Sequence, residues 1–442
     1  MTESPHFPLD TLADAPPDAG AVRDSQPVAA DASWDRGLAA FLAGPAQAIP
    51  FDFWDRPTLL GSRDPEHGTL ATGAETAAAR FWSGMASLLG LENLRRLLTE
   101  LEESCPGQAV STTLLEELML ARSGNPGVVD AFHRFVYGLE DSAPAPELWL
   151  RDAVGDTGAD HSSGTFWDSP DLWVRNRDDG GEAHQSPQPG QDNWFHARVR
   201  NKAAAGPARH FVVSFRSRGF AGTQFAYPLD FFPCTAAAAA FDLASGETRV
   251  VKARWPRALV PPPGTPTCLL ASIITRADHP VAGRHPWEHN NLAQKSLSIV
   301  TLLPEQPVSL PLVLGNWLPS GDSRFELELV VPHAAPLQLG LTHTSRDFFA
   351  AGELAATELQ GGDARGWRVA FTGAARHVLP ITLAPFSQTR VGVELTVPRG
   401  AKPTNPFKVH LVQRNPRTRN VVGGAAIEVT IRAEPQAGVT KA

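Results

Sequence analysis

Between residues 72 and 139 the apolar residues return every three or four positions. Ala77, Phe81, Met85, Leu88 and Leu89 share one stripe and Leu91, Leu94, Leu97, Leu98 and Leu101 a second, with Gly90 placed to end one helix before the next. Residues 112–121 repeat the pattern through Leu114, Leu115, Leu118 and Met119. Residues 128–139 do so through Val129, Phe132, Phe135 and Val136, behind an Asn125-Pro126 opening. Ser33 stands where it can cap a further short helix carrying Trp34, Leu38, Phe41 and Leu42. The spacing predicts a small helical domain over 33–140. DSAPAP closes it, because Pro144 and Pro146 favour an extended linker at 141–146.

Past Pro146 the period drops to two. In NWFHARVRN, Trp194, His196, Arg198 and Arg200 face one way and Phe195, Ala197 and Val199 the other, as in a strand with one wet face. Similar runs, among them HFVVSFRS, TRVVKARW and TCLLASIIT, are bounded by Gly, Pro, Asn and Asp. A second set, from VSLPLVLGNW to AAIEVTIRA, follows TLLPEQP. The expected fold is therefore multidomain, α plus all-β. The helical domain precedes two tandem antiparallel immunoglobulin-like β-sandwiches at 147–302 and 303–435, with no parallel crossover. Residues 1–32 read as a flexible acidic leader and 436–442 as a tail.

Composition narrows the functional classes. A chain of 442 residues is too long for one core, and 37 Gly with 39 Pro against 19% charged residues favours turn-rich β structure. Residues 1–146 hold 9 Arg, no Lys and 21 acidic residues, a net charge of −12, which leaves +4 for the remainder. Without a Lys/Arg cluster to displace counterions, nucleic-acid binding is not expected, and neither is a basic membrane-docking helix. No run of 18 apolar residues predicts membrane insertion. The opening lacks the basic start and apolar centre of a secretion signal, so the expected location is cytoplasmic or reached by a route other than Sec.

The order GTFWDSPDLWVRN, QDNWFHARVRN, RHFVVSFRSRG and WEHNNLAQKSLSIV resembles bacterial CARDB-type and related immunoglobulin-like modules. FSQTRVGVELTVP, FKVHLVQRN and VVGGAAIEVTI resemble a second such module. The resemblance covers the C-terminal two thirds and implies a binding, spacing or packing role, with no catalytic residue. DPEHGTLATG followed by AETAAARFWSGMASLLG is similar to the helical lobe of thermolysin-like metallopeptidases, but this chain has no HExxH helix to place two imidazoles around zinc. That likeness implies a degenerate lobe bearing His67, without hydrolysis.

Candidate chemistry is sparse. HPWEH at 285–289 satisfies the inverted zincin pattern, in which His285 and His289 would bind zinc and Glu288 would polarise a water. Pro286 and the turn-like flanks favour instead a loop with Trp287 at a sandwich edge. Acidic loops offer calcium oxygens at Asp152, Asp156 and Asp160, or at Asp178, Asp179 and Glu182, although Asp and Gly also build ordinary turns. Cys234 and Cys268 lie in one expected sandwich, where a disulfide or two buried thiols are both open, and Cys105 is expected to be inert beside Glu102 and Glu103. Trp167, Trp173, Trp194 and Trp287 recur at strand margins, where they would line a binding surface or fill the sandwich ends. The resulting expectation is a non-enzymatic scaffold without a cofactor. It would recognise a protein or surface ligand through loops 155–165, 177–192 and 278–291, and could be accessory to a protease or secretion apparatus. A zinc metallohydrolase is the alternative.

Overall fold

The computed structural model of the chain describes residues 51–52, 74–104, 110–162, 164–262, 264–317, 321–332, 335–349, 359–363, 366–371 and 376–433. The expected leader, the 33–42 helix, His67, Cys105 and the 436–442 tail lie outside these residues. Contacts divide the chain into two units, 1–114 with 135–137 and 115–134 with 138–442.

In the first unit, helix α1 (Ala74–Leu89) buries Phe81, Trp82 and Met85, and α2 (Leu91–Ser104) buries Leu94, Leu98 and Leu101 at successive turns. Gly90 separates them at φ +83°, and its N–H reaches the Ala86 carbonyl at 2.9 Å, as a left-handed helix stop requires. Strand β1 (Phe51–Asp52) pairs in parallel with β2 (Val110–Ser111). Ser111 Oγ then accepts the Leu114 N–H at 3.0 Å and caps α3 (Thr112–Ser123), which continues into the second unit. Gly124, at φ +63°, ends α3, and Asn125 Oδ1 accepts the Gly127 N–H to open α4 (Gly127–Ala131).

The first sandwich has one sheet in which β3 (Leu148–Trp149) and β4 (Leu172–Arg175) share an edge of β5 (Asn193–Asn201), with β9 (Thr248–Trp255) on the other. Facing it are β6 (Ala208–Arg218), β8 (Ala236–Leu243), β10 (Cys268–Ile274) and β11 (Leu292–Ser296), in the order β11-β10-β6-β8. Alternation sends Phe195, Ala197 and Val199 inward, where Phe195 stacks on Phe215 at 5.3 Å and Trp255 at 4.5 Å.

The outward members of β6, His210, Val212, Ser214 and Arg216, are buried too, so that face needs a cover. Residues of α3 supply part of it. Glu116 meets His210 Nε2 at 2.9 Å with both side chains fully buried, and Glu117 accepts the Ala239 N–H of edge strand β8. Residues 115–134 therefore fold with the sandwiches rather than with a helical domain ending at 140.

The second sandwich pairs β7 (Ala221–Gly222), β13 (Val308–Asn316), β15 (Gln338–His343), β16 (Leu359–Asp363), β17 (Gly366–Phe371) and β19 (Ser387–Thr396) in the order β16-β17-β15-β19-β13-β7. Its other sheet contains β12 (Ser298–Leu302), β14 (Arg324–Val330), β18 (Arg376–Thr382), β20 (Phe407–Arg414) and β21 (Val421–Ile431), in the order β12-β21-β20-β14-β18. Two pairings depart from the expectation. Strand β7 leaves the first sandwich and runs parallel to β13, and β12, expected to close the first sandwich, runs parallel to β21. Two residues of β7 are too few to show a period, and β12 reads alike in either sheet.

These crossings fuse the sandwiches. Thr223 Oγ1 donates to Gln413 Oε1 at 2.6 Å, Gln413 Nε2 donates to the Gly315 carbonyl, and Trp167 Nε1 donates to His410 Nδ1 at 3.1 Å. Asp168 is held between Lys295, at 3.0 Å, and Lys408. Burial alone would raise the Asp168 pKa, but the two ammonium groups hold it below the usual carboxylate value. Gly423 and Gly424 make the approach possible: a Cβ on Gly424 would fall 2.1 Å from the Trp167 ring, and one on Gly423 would fall 2.6 Å from the Thr223 carbonyl oxygen.

Candidate functional site

The HPWEH segment is a single 3₁₀ turn, Pro286–Glu288, between extended His285 and His289. His285 stacks on Trp287 at 4.4 Å and its Nδ1 lies 2.8 Å from the Phe225 carbonyl oxygen, while burial lowers its pKa. Glu288 accepts the His285 N–H at 2.9 Å and so closes its own turn. His289 Nδ1 faces the Asn291 N–H. The helix that an inverted zincin needs is missing here, because Pro286 opens the turn and β11 starts at Leu292.

The acidic loops do not gather their oxygens. Asp178 pairs with Lys252, Asp179 with Arg175 and Glu182 with Arg198, three separate cations on the outer face of the β5 sheet. Asp152 is buried, which raises its pKa well above the usual value, and it accepts from Ser162. Asp156 closes a turn on Asp152 and Gly158, and Asp160 accepts the Asn290 N–H. No group of three His, Cys, Asp or Glu among the described residues is placed to hold a metal.

Cys234 and Cys268 are buried free thiols rather than a disulfide. Cys268 lies on β10 opposite Arg218 of β6, and Cys234 precedes β8 on the far side of β6. Two strand spacings, about 9.5 Å, exceed disulfide reach.

Three of the four singled-out tryptophans are interior. Trp167 and Trp287 pack with Phe166, Val412 and Ala426 at the junction of the sandwiches. Trp173 stacks on His196 at 5.2 Å beneath Arg198, and only Trp194 is half-exposed. The face expected to be wet is a ladder of aromatic and cationic side chains around the fully buried Asp171, which binds Arg151 at 2.8 Å and Arg200 at 3.0 Å. Its cations are spent on that ladder.

A concave surface of about 480 Å³ lies where the sandwiches meet. Phe220 and Pro266, from the first sandwich, form one wall, while Pro311 and Val313 of β13 and Gln388 and Arg390 of β19 supply the other side. Leu310 and Leu312 point into the core, so alternation puts Ser309, Pro311 and Val313 on the outer face, opposite Glu394, Gly392 and Arg390. Beyond its contact with β7, β13 is an edge, and Pro311 withdraws one N–H from it. Gln388 of the groove donates to Asp230, and the chain neighbours of these two residues include the exposed apolar side chains Phe386 and Leu229. No carboxylate among the described residues pairs with Arg390, an exposed residue. A two-walled apolar groove with one uncommitted cation is suited to hold a ligand bearing an anionic group, and none of its lining residues was singled out in the sequence. Pro311 within an alternating strand was the available signal.

The architecture is a helical N-terminal part followed by fused β-sandwiches. No family model matches the chain, neither a CARDB-type nor a peptidase one, and no curated protein matches it. Among solved structures, the CupB6 tip adhesin from Pseudomonas aeruginosa is similar at 7% identity and a TM-score of 0.17, over 59% of this chain and 97% of that one. At that score the likeness carries no argument about function.

Proposed function

We propose that this chain is a non-enzymatic recognition scaffold whose inter-sandwich groove takes an extended, carboxylate-bearing segment of a partner protein. The single observation that carries the reading is Arg390, an unpaired cation on an apolar groove whose size falls within the usual range for ligand sites. Apolar side chains of the segment would cover Phe220 and Val313, and a carboxylate would meet Arg390 in a charge-assisted hydrogen bond. The junction contacts at Gln413, Asp168 and Trp167 support the reading because they hold both walls in place, which lowers the ordering cost of binding.

Selection of random peptides on the full chain tests this. The expected peptides carry Asp or Glu among aliphatic residues and lose roughly tenfold or more of their affinity to R390E, because a hydrogen bond to a charged group is removed and a like charge introduced. Selected peptides without carboxylates, or binding indifferent to R390E, would contradict the proposal.

A further inference from the structure

Arg216 is the most unusual buried group of the second unit. Its side chain is fully buried on the outward face of β6, and Nε, Nη1 and Nη2 all lack a hydrogen-bond acceptor. An arginine does not shed its proton inside a protein, so a full positive charge lies out of water with its N–H donors unanswered.

The surroundings compensate only in part. The Tyr227 ring lies 5.3 Å from Cζ, and Gly124, which ends α3, lies beside Nη1. The nearby thiol does not help. Burial pushes the Cys234 pKa up, outweighing the pull of Arg216, and Sγ donates to the Phe215 and Ala236 carbonyls. Arg218 adds positive charge and spends its donors on the Ser217 and Pro233 carbonyls. Asp230 accepts from Ala226 and Gln388. A second donor in the same layer, the buried Tyr227 hydroxyl, has no acceptor either.

We propose that Arg216 and the Tyr227 hydroxyl hold a small inorganic anion of the halide class, between β6 and the 220–233 segment that covers it. The site suits a monatomic ion, which accepts several N–H and O–H donors at once and demands no particular shape. It does not suit a carboxylate-bearing molecule, because Arg216 and Tyr227 are both buried and leave such a molecule no opening to the surface. Neutralising the guanidinium fastens the 220–233 segment, which contributes Phe220 to the groove wall.

The test is the thermal midpoint of the full chain as gluconate is replaced by chloride at constant ionic strength. The expected result is a saturating rise, as mass action requires of a ligand that binds only the folded state. R216M, which keeps the bulk and removes the charge, is expected to show no rise. Should R216M not fold, Y227F is expected to keep the rise but need roughly tenfold or more chloride for it. A wild-type midpoint indifferent to chloride would mean that water serves these donors, and would overturn the proposal. An equal response in wild type and R216M, or in wild type and Y227F, would overturn it as well.

Discussion

His133 is buried with neither ring nitrogen hydrogen-bonded. Burial first, then the neighbouring His210 and Arg276, lower its pKa to about 4, against the pull of Asp141 and Asp130. The unfolded chain takes this proton near pH 6.5, well before the folded one. Stability contributed by the neutral ring is therefore complete above about pH 6.5 and is lost progressively as the pH falls to about 4, with about 3 kcal/mol at stake. H133Q is expected to flatten that limb of the pH profile of urea unfolding, and a slope unchanged from wild type would count against the assignment. At this scale HPWEH shows how a motif misleads. Its five letters fit a zinc helix, but Pro286, present in those same letters, decides the backbone and turns Glu288 into a cap. The Arg216 and Arg390 environments were not legible, because a side chain's partners are set by strands far away in sequence.

Among the elements, alternation and turn residues disclosed most strands, and the helical stripes with Gly90 disclosed α1 and α2. Pairing was harder to see. The contacts that fuse the sandwiches join residues far apart in the chain, Thr223 to Gln413 and Trp167 to His410, and no local period encodes them. The Val-Gly-Gly run at the start of β21 was visible, but its role depends on the ring of Trp167 and the backbone of Thr223. G424A follows from that geometry. A methyl 2.1 Å from the Trp167 ring forces strand or ring to shift, and the expected loss is about 1–3 kcal/mol or more in urea unfolding. Wild-type stability in G424A would mean that Trp167 is not wedged there.

For the whole molecule, a change of hydrophobic period announced helices followed by sandwiches, and that order holds. It did not announce that the two sandwiches and residues 115–134 form one unit, a consequence of β6 burying both its faces and of β7 and β12 crossing over. Fusion creates the groove: its two walls, one from each sandwich, face each other only when both are held together, and Arg390 of β19 then lines it. The most direct test is hydrogen exchange of the full chain with and without a peptide selected on it. Slowed exchange at 219–220, 308–313 and 388–390 is predicted; protection confined to 155–165, 177–192 or 278–291, or to no segment at all, would contradict the account.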